Sequence, residues 1–362
     1  MRILIQTGGG DAPGLNAVIR AATLAALRRG WEVYGSRNSY NGLLGEEGPE
    51  GLFRLDANRV RGITFLGGTI LGTTNRGNPF QWPSRQPDGS IALVDRSDEV
   101  VRAFRRYRFD ALIAIGGDGS LRIAAELARK GLPVVGVPKT IDNDIAGTDV
   151  SFGFDTAVNV ATDAIQRLHS TAEAHERVMV AEVMGRYAGW IALHSGLAGT
   201  ADAILIPEIP FRIERVADKV LERERQGRLF SIVVCAEGAV PEGGQLVTRE
   251  LEETGRQEPL LGGVAEVVAR QLRELTGKDT RSLVLGHLQR GGSPTAYDRN
   301  LALRFGAAAV RAIADGAFGT MVALRHPQVT RVPLAEGVAH KPVPVDADIV
   351  QTAREMGVCF GD

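Results

Sequence analysis

The sequence has few cysteines, no excess of charge of either sign and no long apolar run. Cys235 and Cys359 are the only cysteines in 362 residues, too few for a disulfide framework and without metal-site spacing. Lys and Arg total 42 against 43 for Asp and Glu, which argues against nucleic acid as a partner. Because no apolar stretch could span a membrane or form a signal-peptide core, we expect a cytoplasmic protein without a membrane partner.

The length and composition are those of a globular protein with two domains. The chain is 44% hydrophobic and 23% charged, the ordinary range for a globular fold. Its 362 residues exceed the usual size of a single hydrophobic core. Since the net charge is only -1, a small anionic ligand has to be bound by local Arg and Lys side chains.

Short apolar runs alternate with helical patterns along the chain. The runs are near-continuous, as expected for strands covered on both faces, and occupy residues 3–6, 111–115, 134–137, 178–183, 203–206, 232–235 and 283–285. Helical patterns lie at residues 15–29, 121–130 and 157–169. This alternation predicts two doubly wound α/β domains with largely parallel sheets. Residues 73–98 are rich in turn formers and predict an exposed excursion or a hairpin.

The first segment with chemical meaning is the glycine-rich turn TGGGDAPG at residues 7–14. Glycine there lets the backbone approach a ligand, and the helix N-terminus behind it presents free N–H groups, as in a phosphate-binding loop. It is not a dinucleotide fingerprint, because Pro13 replaces the third glycine, and it lacks the Lys-Ser/Thr ending of a P-loop. This disfavours a nicotinamide dehydrogenase. A tight strand-to-helix turn without a ligand is the alternative.

The second segment is GGDGS at residues 116–120, directly after a predicted strand. Ligands of open α/β sheets bind outside the carboxyl ends of the strands. The Asp118 carboxylate is a hard oxygen ligand suited to Mg²⁺, which keeps several waters and bridges phosphate oxygens. Alternatively, Asp118 caps the following helix.

The third segment is PKTIDND at residues 138–144, after the strand predicted at 134–137. No fold needs two carboxylates, an amide, a hydroxyl and an ammonium at one strand end for stability, because each buried polar group must find a partner. This crowding suits phosphoryl transfer, in which one Asp takes the proton of the attacking hydroxyl and Lys139 neutralises phosphate charge. A solvated turn is the alternative.

These motifs, with three others, resemble the phosphofructokinase family. TGGGDAPGLNAVIR, GGTILG, GGDGS, PKTIDND, EVMGR and GHLQRGGSP occur in the order and approximate spacing of that family, over roughly residues 1–300. GGDG alone is weak, since NAD kinases and diacylglycerol kinases resemble it, but the ordered set is specific. The resemblance implies a 6-phosphofructokinase of glycolysis that transfers the γ-phosphoryl group of Mg-ATP to the 1-hydroxyl of fructose 6-phosphate. It also implies a homodimer or homotetramer with shared active sites.

The resemblance implies a role for each matched residue. Asp142 is the expected proton acceptor, with Thr140, Asp144, Lys139 and Arg186 also catalytic, and Asp118 is the magnesium ligand. The residues expected to bind the nucleotide are Gly9, Gly10, Arg76, Gly117, Asp118, Gly119 and Ser120. Those expected to bind the sugar phosphate are Thr140, Asp142, Arg177, Met184, Gly185, Arg186, Glu237, Arg281, His287 and Arg290. Of these, Arg177 and Arg281 match arginines that such enzymes lend to a neighbouring subunit's site.

Several of these residues have simpler explanations when taken singly. His287 fits a buried core histidine, Arg177 and Arg186 fit surface charges, and Glu237 fits a solvated acid at a strand end. Arg remains the preferred residue for phosphate, because its planar fork donates two parallel charge-assisted bonds.

The resemblance implies an active site in the cleft between the two domains. We expect residues 1–153 plus about 266–315 to form the larger, donor-binding domain. Residues 154–265 plus about 316–362 are expected to form the smaller, sugar-phosphate-binding domain.

The donor is predicted from two positions. Lys139 is shared with pyrophosphate-using relatives, whereas Gly119 stands where those relatives commonly have Asp. Glycine leaves room for the α-phosphate of a nucleotide, so we expect ATP, as in the mixed-substrate subgroup. The alternatives are a pyrophosphate-dependent enzyme, a kinase of another sugar phosphate such as sedoheptulose 7-phosphate, and a non-catalytic sugar-phosphate sensor.

Two positions depart from the family pattern. The run Thr73-Thr74-Asn75-Arg76 has an apparent extra residue, which leaves Arg76 as the candidate donor-phosphate arginine. Leu24 stands where regulated bacterial relatives have a second arginine, which argues against control by ADP or phosphoenolpyruvate.

Overall fold

The computed structural model describes residues 1–246 and 262–362, together with the backbone of residues 248–249 and 260–261. The strands in this described part are β1 (Arg2–Thr7), β2 (Glu32–Ser36), β3 (Leu52–Leu55), β4 (Trp82–Arg85), β5 (Ile91–Val94), β6 (Ala111–Gly116), β7 (Val134–Pro138), β8 (Val178–Val183), β9 (Ala203–Leu205), β10 (Ser231–Ala236), β11 (Thr248–Arg249), β12 (Leu260–Leu261), β13 (Thr280–Val284), β14 (Thr320–Arg325) and β15 (Gln328–Pro333).

The α-helices of the described part lie between these strands and after them. They are α1 (Leu15–Leu27), α2 (Asn41–Leu44), α3 (Ser97–Arg106), α4 (Asp118–Arg129), α5 (Phe154–Ala174), α6 (Trp190–Ala198), α7 (Ile213–Arg225), α8 (Val264–Thr276), α9 (Ala296–Ala314) and α10 (Asp348–Glu355). Within the described residues, none of these helices has both the length and the apolar content to cross a membrane.

The larger sheet has seven strands in the order β15-β14-β7-β6-β1-β2-β3. Its inner strands are parallel, and β3 and β15 pair antiparallel at the two edges. The central strand β6, ALIAIG, is buried along its whole length, as its continuous apolar run predicts. Helices α1 and α9 cover one face of the sheet, and α3 and α4 cover the other.

The smaller sheet has four strands in the order β13-β8-β10-β9, and all of them are parallel. Helices α5, α6 and α10 cover one face, and α7 and α8 cover the other. Each sheet is therefore covered on both faces by helices. The predicted fold class, two doubly wound α/β units with largely parallel sheets, is confirmed.

Helices α1 and α9 pack against each other at unusually short range. A Cβ atom at Gly306 on α9 would lie 2.5 Å from the Val18 carbonyl oxygen of α1. Only glycine permits this approach, which presses the first helix after the glycine-rich turn onto the larger sheet.

Local predictions agree with most of the observed elements. Residues 73–98 contain the antiparallel hairpin β4–β5. The helix predicted at 157–169 is longer in both directions, from Phe154 to Ala174. The strand predicted at 283–285 lies earlier, at Thr280–Val284, because pairing with β8 begins there.

The predicted domain limits differ from the sheets in two places. Strand β13 and helix α8, expected in the larger domain, belong to the smaller sheet, because β13 pairs with β8. Strands β14 and β15, expected in the smaller domain, extend the larger sheet, because β14 pairs with β7. The chain thus leaves the larger sheet after β7, forms all four strands of the smaller sheet and returns to the larger sheet for β14 and β15. No local pattern in the sequence records that return.

Candidate active site

The glycine-rich turn after β1 is fixed by hydrogen bonds from two sides. The Gly8 N–H donates to the Ile115 carbonyl of β6 at 2.9 Å, and the Gly9 N–H donates to the Thr74 carbonyl at 3.2 Å. The Thr73 hydroxyl donates to the Gly9 carbonyl at 2.6 Å. Gly9 has a φ of +78°, a conformation that favours glycine. The turn therefore has a defined shape without a ligand.

Gly9 faces two other predicted site residues. A Cβ atom at Gly9 would lie 3.4 Å from Ser120 Oγ and 3.5 Å from Lys139 Nζ. The Lys139 ammonium donates to the Gly10 carbonyl. Because β1, β6 and β7 are parallel neighbours, their carboxyl ends bring the three predicted motifs to one edge of the sheet.

Asp118 and Gly119 are exposed at the start of α4. The N-cap residue of α4 is Gly117, and no side chain of the described residues caps this helix end. The alternative that Asp118 caps α4 is therefore wrong. The Asp118 carboxylate acts electrostatically on Lys139 and Asp144, so it lies beside the 138–144 segment. At Gly119 a Cβ atom would meet open space, with no heavy atom of the described residues within 4 Å.

Lys139 is a buried ammonium group at the carboxyl end of β7, with 3% of its surface exposed. Burial, assisted by the nearby Arg290 guanidinium, lowers the pKa of Lys139 to about 8. The carboxylates of Asp11, Asp142 and Asp118 oppose this shift. A cation held among three acids is placed to neutralise the oxygens of a phosphate group.

Asp142 carries a partly buried carboxyl group with an unused acceptor atom. Its Oδ1 is buried and has no hydrogen-bond partner among the described residues. Burial and the neighbouring Asp144 carboxylate raise the pKa of Asp142 to about 7, against the lowering effects of Arg290 and Lys139. Leaving such an oxygen unpaired is costly unless a ligand supplies a donor. Asp142 is therefore suited to accept the proton of a bound hydroxyl group.

Asp144 is the second acid of this segment, and Thr140 contacts both acids. The Asp142 N–H donates to the Thr140 hydroxyl at 3.0 Å. The Thr140 side chain also hydrogen-bonds to Asp144. Burial, and after it the Asp118 carboxylate, raises the pKa of Asp144. Two acids this close bind and release their protons as a pair.

The acidic side chains of this site fit a magnesium ion that is bound mainly through a substrate. Asp118 offers an exposed carboxylate. Within the described residues, no group of three His, Cys, Asp or Glu side chains could hold a metal by itself. Mg²⁺ commonly binds one or two carboxylates and completes its shell with phosphate oxygens and water. The site is thus chemically suited to a magnesium–phosphate complex rather than to a resident metal.

Arg290 enters the site from a three-ten helix, Gly286–Arg290, that follows β13. Its Nη1 donates to the Asp11 carbonyl at 3.0 Å, which joins the two sheets at the glycine-rich turn. His287 in the same helix is exposed, so the alternative of a buried core histidine is wrong. The Arg290 guanidinium thus lies at the glycine-rich turn, and the His287 imidazole is exposed on the same three-ten helix.

The loop after β8, which holds Met184, Gly185 and Arg186, lies beside Glu237 at the end of β10. The Met184 N–H donates to Gln289 Oε1 at 3.2 Å. Burial raises the pKa of Glu237, and the Arg186 guanidinium opposes this rise. The alternative of a solvated acid at Glu237 is therefore wrong. This edge of the smaller sheet faces the same cleft as the edge with Asp142, since Glu237 acts electrostatically on Asp142.

Arg177 and Arg281 lie at the other end of the smaller sheet. Arg177 Nε donates to Asp279 Oδ2 at 2.5 Å, and Arg281 Nη2 lies 3.2 Å from Asp279 Oδ1. Arg177 precedes β8 and Met184 follows it, so the length of a six-residue strand, about 20 Å, separates them. Within one chain the structure does not bring these two arginines to the cleft.

Three residues outside the predicted set also shape the site. Thr73 and Thr74 hold Gly9, and Asp11 contributes both a carbonyl for Arg290 and a carboxylate near Lys139. Asp11 lies inside the TGGGDAPG motif, so its position was a usable signal. The exposed Arg76, whose N–H donates to Thr74 Oγ1 at 3.1 Å, lies next to the two threonines.

Comparison with known proteins gives consistent matches. A family model described as Phosphofructokinase matches residues 2–313. A protein of Chloroflexus aurantiacus named ATP-dependent 6-phosphofructokinase is 54% identical over 100% of this chain and 98% of its own length. A protein of Amycolatopsis methanolica named pyrophosphate–fructose 6-phosphate 1-phosphotransferase is 52% identical over 95% of this chain and 96% of its own.

Solved structures show the same fold. A phosphofructokinase of Pichia pastoris in the T-state has a TM-score of 0.79 and 33% identity, covering 98% of this chain. This chain spans only 36% of that longer protein. A pyrophosphate-dependent phosphofructokinase of Marinobacter aquaeolei, at 24% identity and a TM-score of 0.78, supports the fold alone.

Proposed function

The chain belongs to the phosphofructokinase family, and from this membership we propose that it is an ATP-dependent 6-phosphofructokinase. It transfers the γ-phosphoryl group of Mg-ATP to the 1-hydroxyl of fructose 6-phosphate, a glycolytic reaction that we place in the cytoplasm. The observation that carries the proposal is the buried Asp142 oxygen, which has no hydrogen-bond partner in the described part of the chain and lies near the Lys139 ammonium group.

The acceptor site lies where the carboxyl ends of both sheets face the cleft. Asp142 accepts the proton of the attacking hydroxyl. Thr140 orients Asp142 by accepting its backbone N–H, and the Asp144 carboxylate raises the pKa of Asp142. The sugar phosphate is bound between the loop after β8, Glu237 and the three-ten helix with His287 and Arg290. Arg186 and Arg290 supply the forked donors that phosphate recognition needs.

The donor site lies on the larger sheet. The glycine-rich turn and the start of α4 offer backbone N–H groups to the phosphates, with Gly9, Gly10, Gly117, Gly119 and Ser120 lining the pocket. Asp118 would hold a magnesium ion, which would supply neutralisation of the phosphate charge. Lys139 and Arg76 stabilise the remaining charge of the transferred group.

ATP is the proposed donor, although relatives about equally similar to this chain carry both donor names. The open space at Gly119 supports this choice, because an Asp side chain there would direct a negative charge at the α-phosphate of a nucleotide. Lys139 is compatible with either donor.

A matrix of donors and acceptors tests the proposal. Purified protein with Mg²⁺ is given ATP or pyrophosphate, each with fructose 6-phosphate or sedoheptulose 7-phosphate, and the bisphosphate product is measured. We expect rapid turnover for ATP with fructose 6-phosphate and little with pyrophosphate. The reverse donor preference would make the protein a pyrophosphate-dependent enzyme. Binding of both substrates without any product would make it a sugar-phosphate sensor.

The proposed active site includes residues of a neighbouring subunit. Arg177 and Arg281 are too far from the Asp142 cleft of their own chain, as the sheet geometry requires. In a homodimer or homotetramer, these arginines would bind the sugar phosphate of the adjoining subunit.

A further inference from the structure

The segment at residues 339–343 runs directly beside the turn that holds Asp142 and Asp144. It lies beyond residues 2–313, the part that the family model matches. Lys341 N–H donates to the Asp144 carbonyl at 2.7 Å, and Ala146 N–H donates to the Ala339 carbonyl at 3.0 Å. His340 and Ile145 form an antiparallel bridge between these two bonds. The 339–343 segment therefore acts as a short strand paired with the 144–146 backbone.

The Lys341 side chain adds a second set of contacts to the same turn. Its Nζ donates to Asn143 Oδ1 at 3.2 Å, to the Thr148 carbonyl at 3.0 Å and to the Asp149 carbonyl at 2.9 Å. A lysine ammonium has three donors, so all of them are used. Asn143 is held at a φ of +54°, an uncommon conformation for a residue other than glycine. Lys341 thus stabilises a strained residue that lies between the two acids.

The other side of the 339–343 segment is bound to the loop after β8. Trp190 Nε1 donates to the Lys341 carbonyl at 3.0 Å. Glu208 accepts the Val343 N–H at 2.7 Å and the Gly189 N–H at 3.1 Å. These bonds connect the segment to the region where the loop with Arg186 meets α6.

The 339–343 segment thus joins the two halves of the cleft. One edge contacts the turn with the proton-accepting Asp142, and the other contacts the loop for the sugar phosphate. By comparison, Lys219 on α7 forms an ion pair with the nearby acid Glu222. Lys341 differs, since its side chain and its backbone together bond to four positions on the larger-sheet side and one on the smaller.

We propose that Lys341 is a positioning residue, which fixes the Asn143–Asp144 turn relative to the sugar-phosphate loop so that Asp142 meets the attacking hydroxyl. The proposal rests on the proposed kinase function. It requires no contact between Lys341 and the substrates. A reacting group displaced by about 1 Å can cost on the order of 10²-fold in rate, so loss of this support has a kinetic consequence.

The main test replaces Lys341 with methionine, K341M, which keeps an unbranched side chain of similar volume and removes the charge and the donors. The control is K219M, which removes an ammonium group on α7 outside the cleft. Wild type is assayed first, and its failure to phosphorylate fructose 6-phosphate would refute the proposed function instead. We expect K341M to lower kcat by about 10- to 100-fold and K219M to leave it unchanged.

Two readouts separate positioning from a merely structural role. The first is the ratio of ATP hydrolysed by water to ATP used for the sugar, which a smaller fraction of folded enzyme does not alter and which we expect to rise in K341M. The second is hydrogen–deuterium exchange, which we expect to become faster in peptides covering residues 140–146. Normal kinetics in K341M, or a lowered kcat with both readouts unchanged, would overturn the proposal.

A second variant covers the case that K341M does not fold. W190F keeps an aromatic ring but removes the indole N–H that donates to the Lys341 carbonyl, together with part of the ring volume. We expect W190F, like K341M, to raise the ratio of ATP hydrolysed by water to ATP used for the sugar, but by a smaller factor. A W190F enzyme with the wild-type ratio and wild-type exchange at residues 140–146 would then overturn the proposal.

Discussion

At the scale of single residues, the site combines an acid and a base whose pKa values are shifted toward each other. Burial raises the pKa of Asp142 to about 7 and lowers the pKa of Lys139 to about 8. Asp142 must be ionised to accept a proton, and Lys139 must be protonated to neutralise phosphate. Both groups are therefore in their working state only in a narrow interval of pH.

This interval predicts a bell-shaped pH profile. As pH falls through about 7, Asp142 gains a proton and kcat/KM should decrease; as pH rises through about 8, Lys139 loses its proton and kcat/KM should decrease again. In K139M the high-pH decrease should vanish, and the low-pH decrease should move to higher pH, because Asp142 loses a neighbouring cation. Initial rates at limiting fructose 6-phosphate measure both limbs. A profile flat from pH 6 to 9 would contradict these assignments.

Asp142→Asn removes the proton acceptor with almost no change of volume. We expect kcat to fall by on the order of 10²–10⁴-fold with a smaller change of KM, since a positioned general base contributes about this much. The matched control is Asp163→Asn, an exposed aspartate on α5 that pairs with Arg167. Steady-state kinetics with ATP and fructose 6-phosphate give both constants. An Asp142→Asn enzyme that keeps most of its kcat would remove Asp142 from this role.

Gly119→Asp tests the donor. The site has room for a Cβ atom, so the variant should fold, but its carboxylate would repel the nucleotide phosphates. We expect a marked rise in the KM for ATP and little change in the KM for fructose 6-phosphate. Gly119→Ala is the control for size without charge and should behave nearly as wild type. An unchanged KM for ATP in Gly119→Asp would count against the steric and electrostatic argument.

At the scale of secondary structure elements, an acid in β8 stabilises the N-terminus of α8. Glu182 is 1% exposed, and its carboxylate accepts the Gly263 N–H at 3.0 Å and the Ala265 N–H at 3.0 Å. A negative group at a helix N-terminus satisfies free N–H groups and interacts favourably with the helix dipole. This contact fixes β8 just before the loop with Met184.

Glu182→Gln should therefore destabilise the fold. The amide keeps the shape but loses the charge and one acceptor, so we expect the free energy of unfolding to fall by about 1–3 kcal/mol. Glu266→Gln, an exposed acid in the first turn of α8, should change it by less than about 0.5 kcal/mol. Urea unfolding followed by circular dichroism measures both. Equal effects of the two substitutions would contradict a specific role for Glu182.

The elements of the site could be predicted from the sequence because their signals are local. Continuous apolar runs mark β1, β6 and β7, and parallel neighbours must end at the same edge, so Gly9, Asp118 and Asp142 had to meet. The bond from Arg290 to Asp11 spans 279 positions, and the bond from Lys341 to Asn143 spans 198. Contacts this distant depend on which sheet the chain returns to, which no local pattern encodes.

At the scale of the whole molecule, the two sheets divide the proposed substrates between them. The larger sheet presents the turns that we propose bind the donor phosphates, and the smaller sheet presents the loop that we propose binds the sugar phosphate. The 339–343 segment and Arg290 cross between the sheets on either side of Asp142. Each chain thus builds a cleft with a base and donor cations of its own. Arg177 and Arg281 lie at the opposite end of the smaller sheet from this cleft.

Subunit mixing tests whether those arginines complete a neighbour's cleft. Asp142→Asn and the double variant Arg177→Ala, Arg281→Ala should each be nearly inactive alone. In a mixed dimer, the site with an intact Asp142 receives arginines from the Asp142→Asn subunit and is complete. After denaturation and joint refolding, half of the dimers are mixed and half of their sites are intact, so about a quarter of wild-type activity should return. The double variant assayed alone is the direct control. If its activity equals that of wild type, or if mixing restores no activity, each chain works with its own residues only.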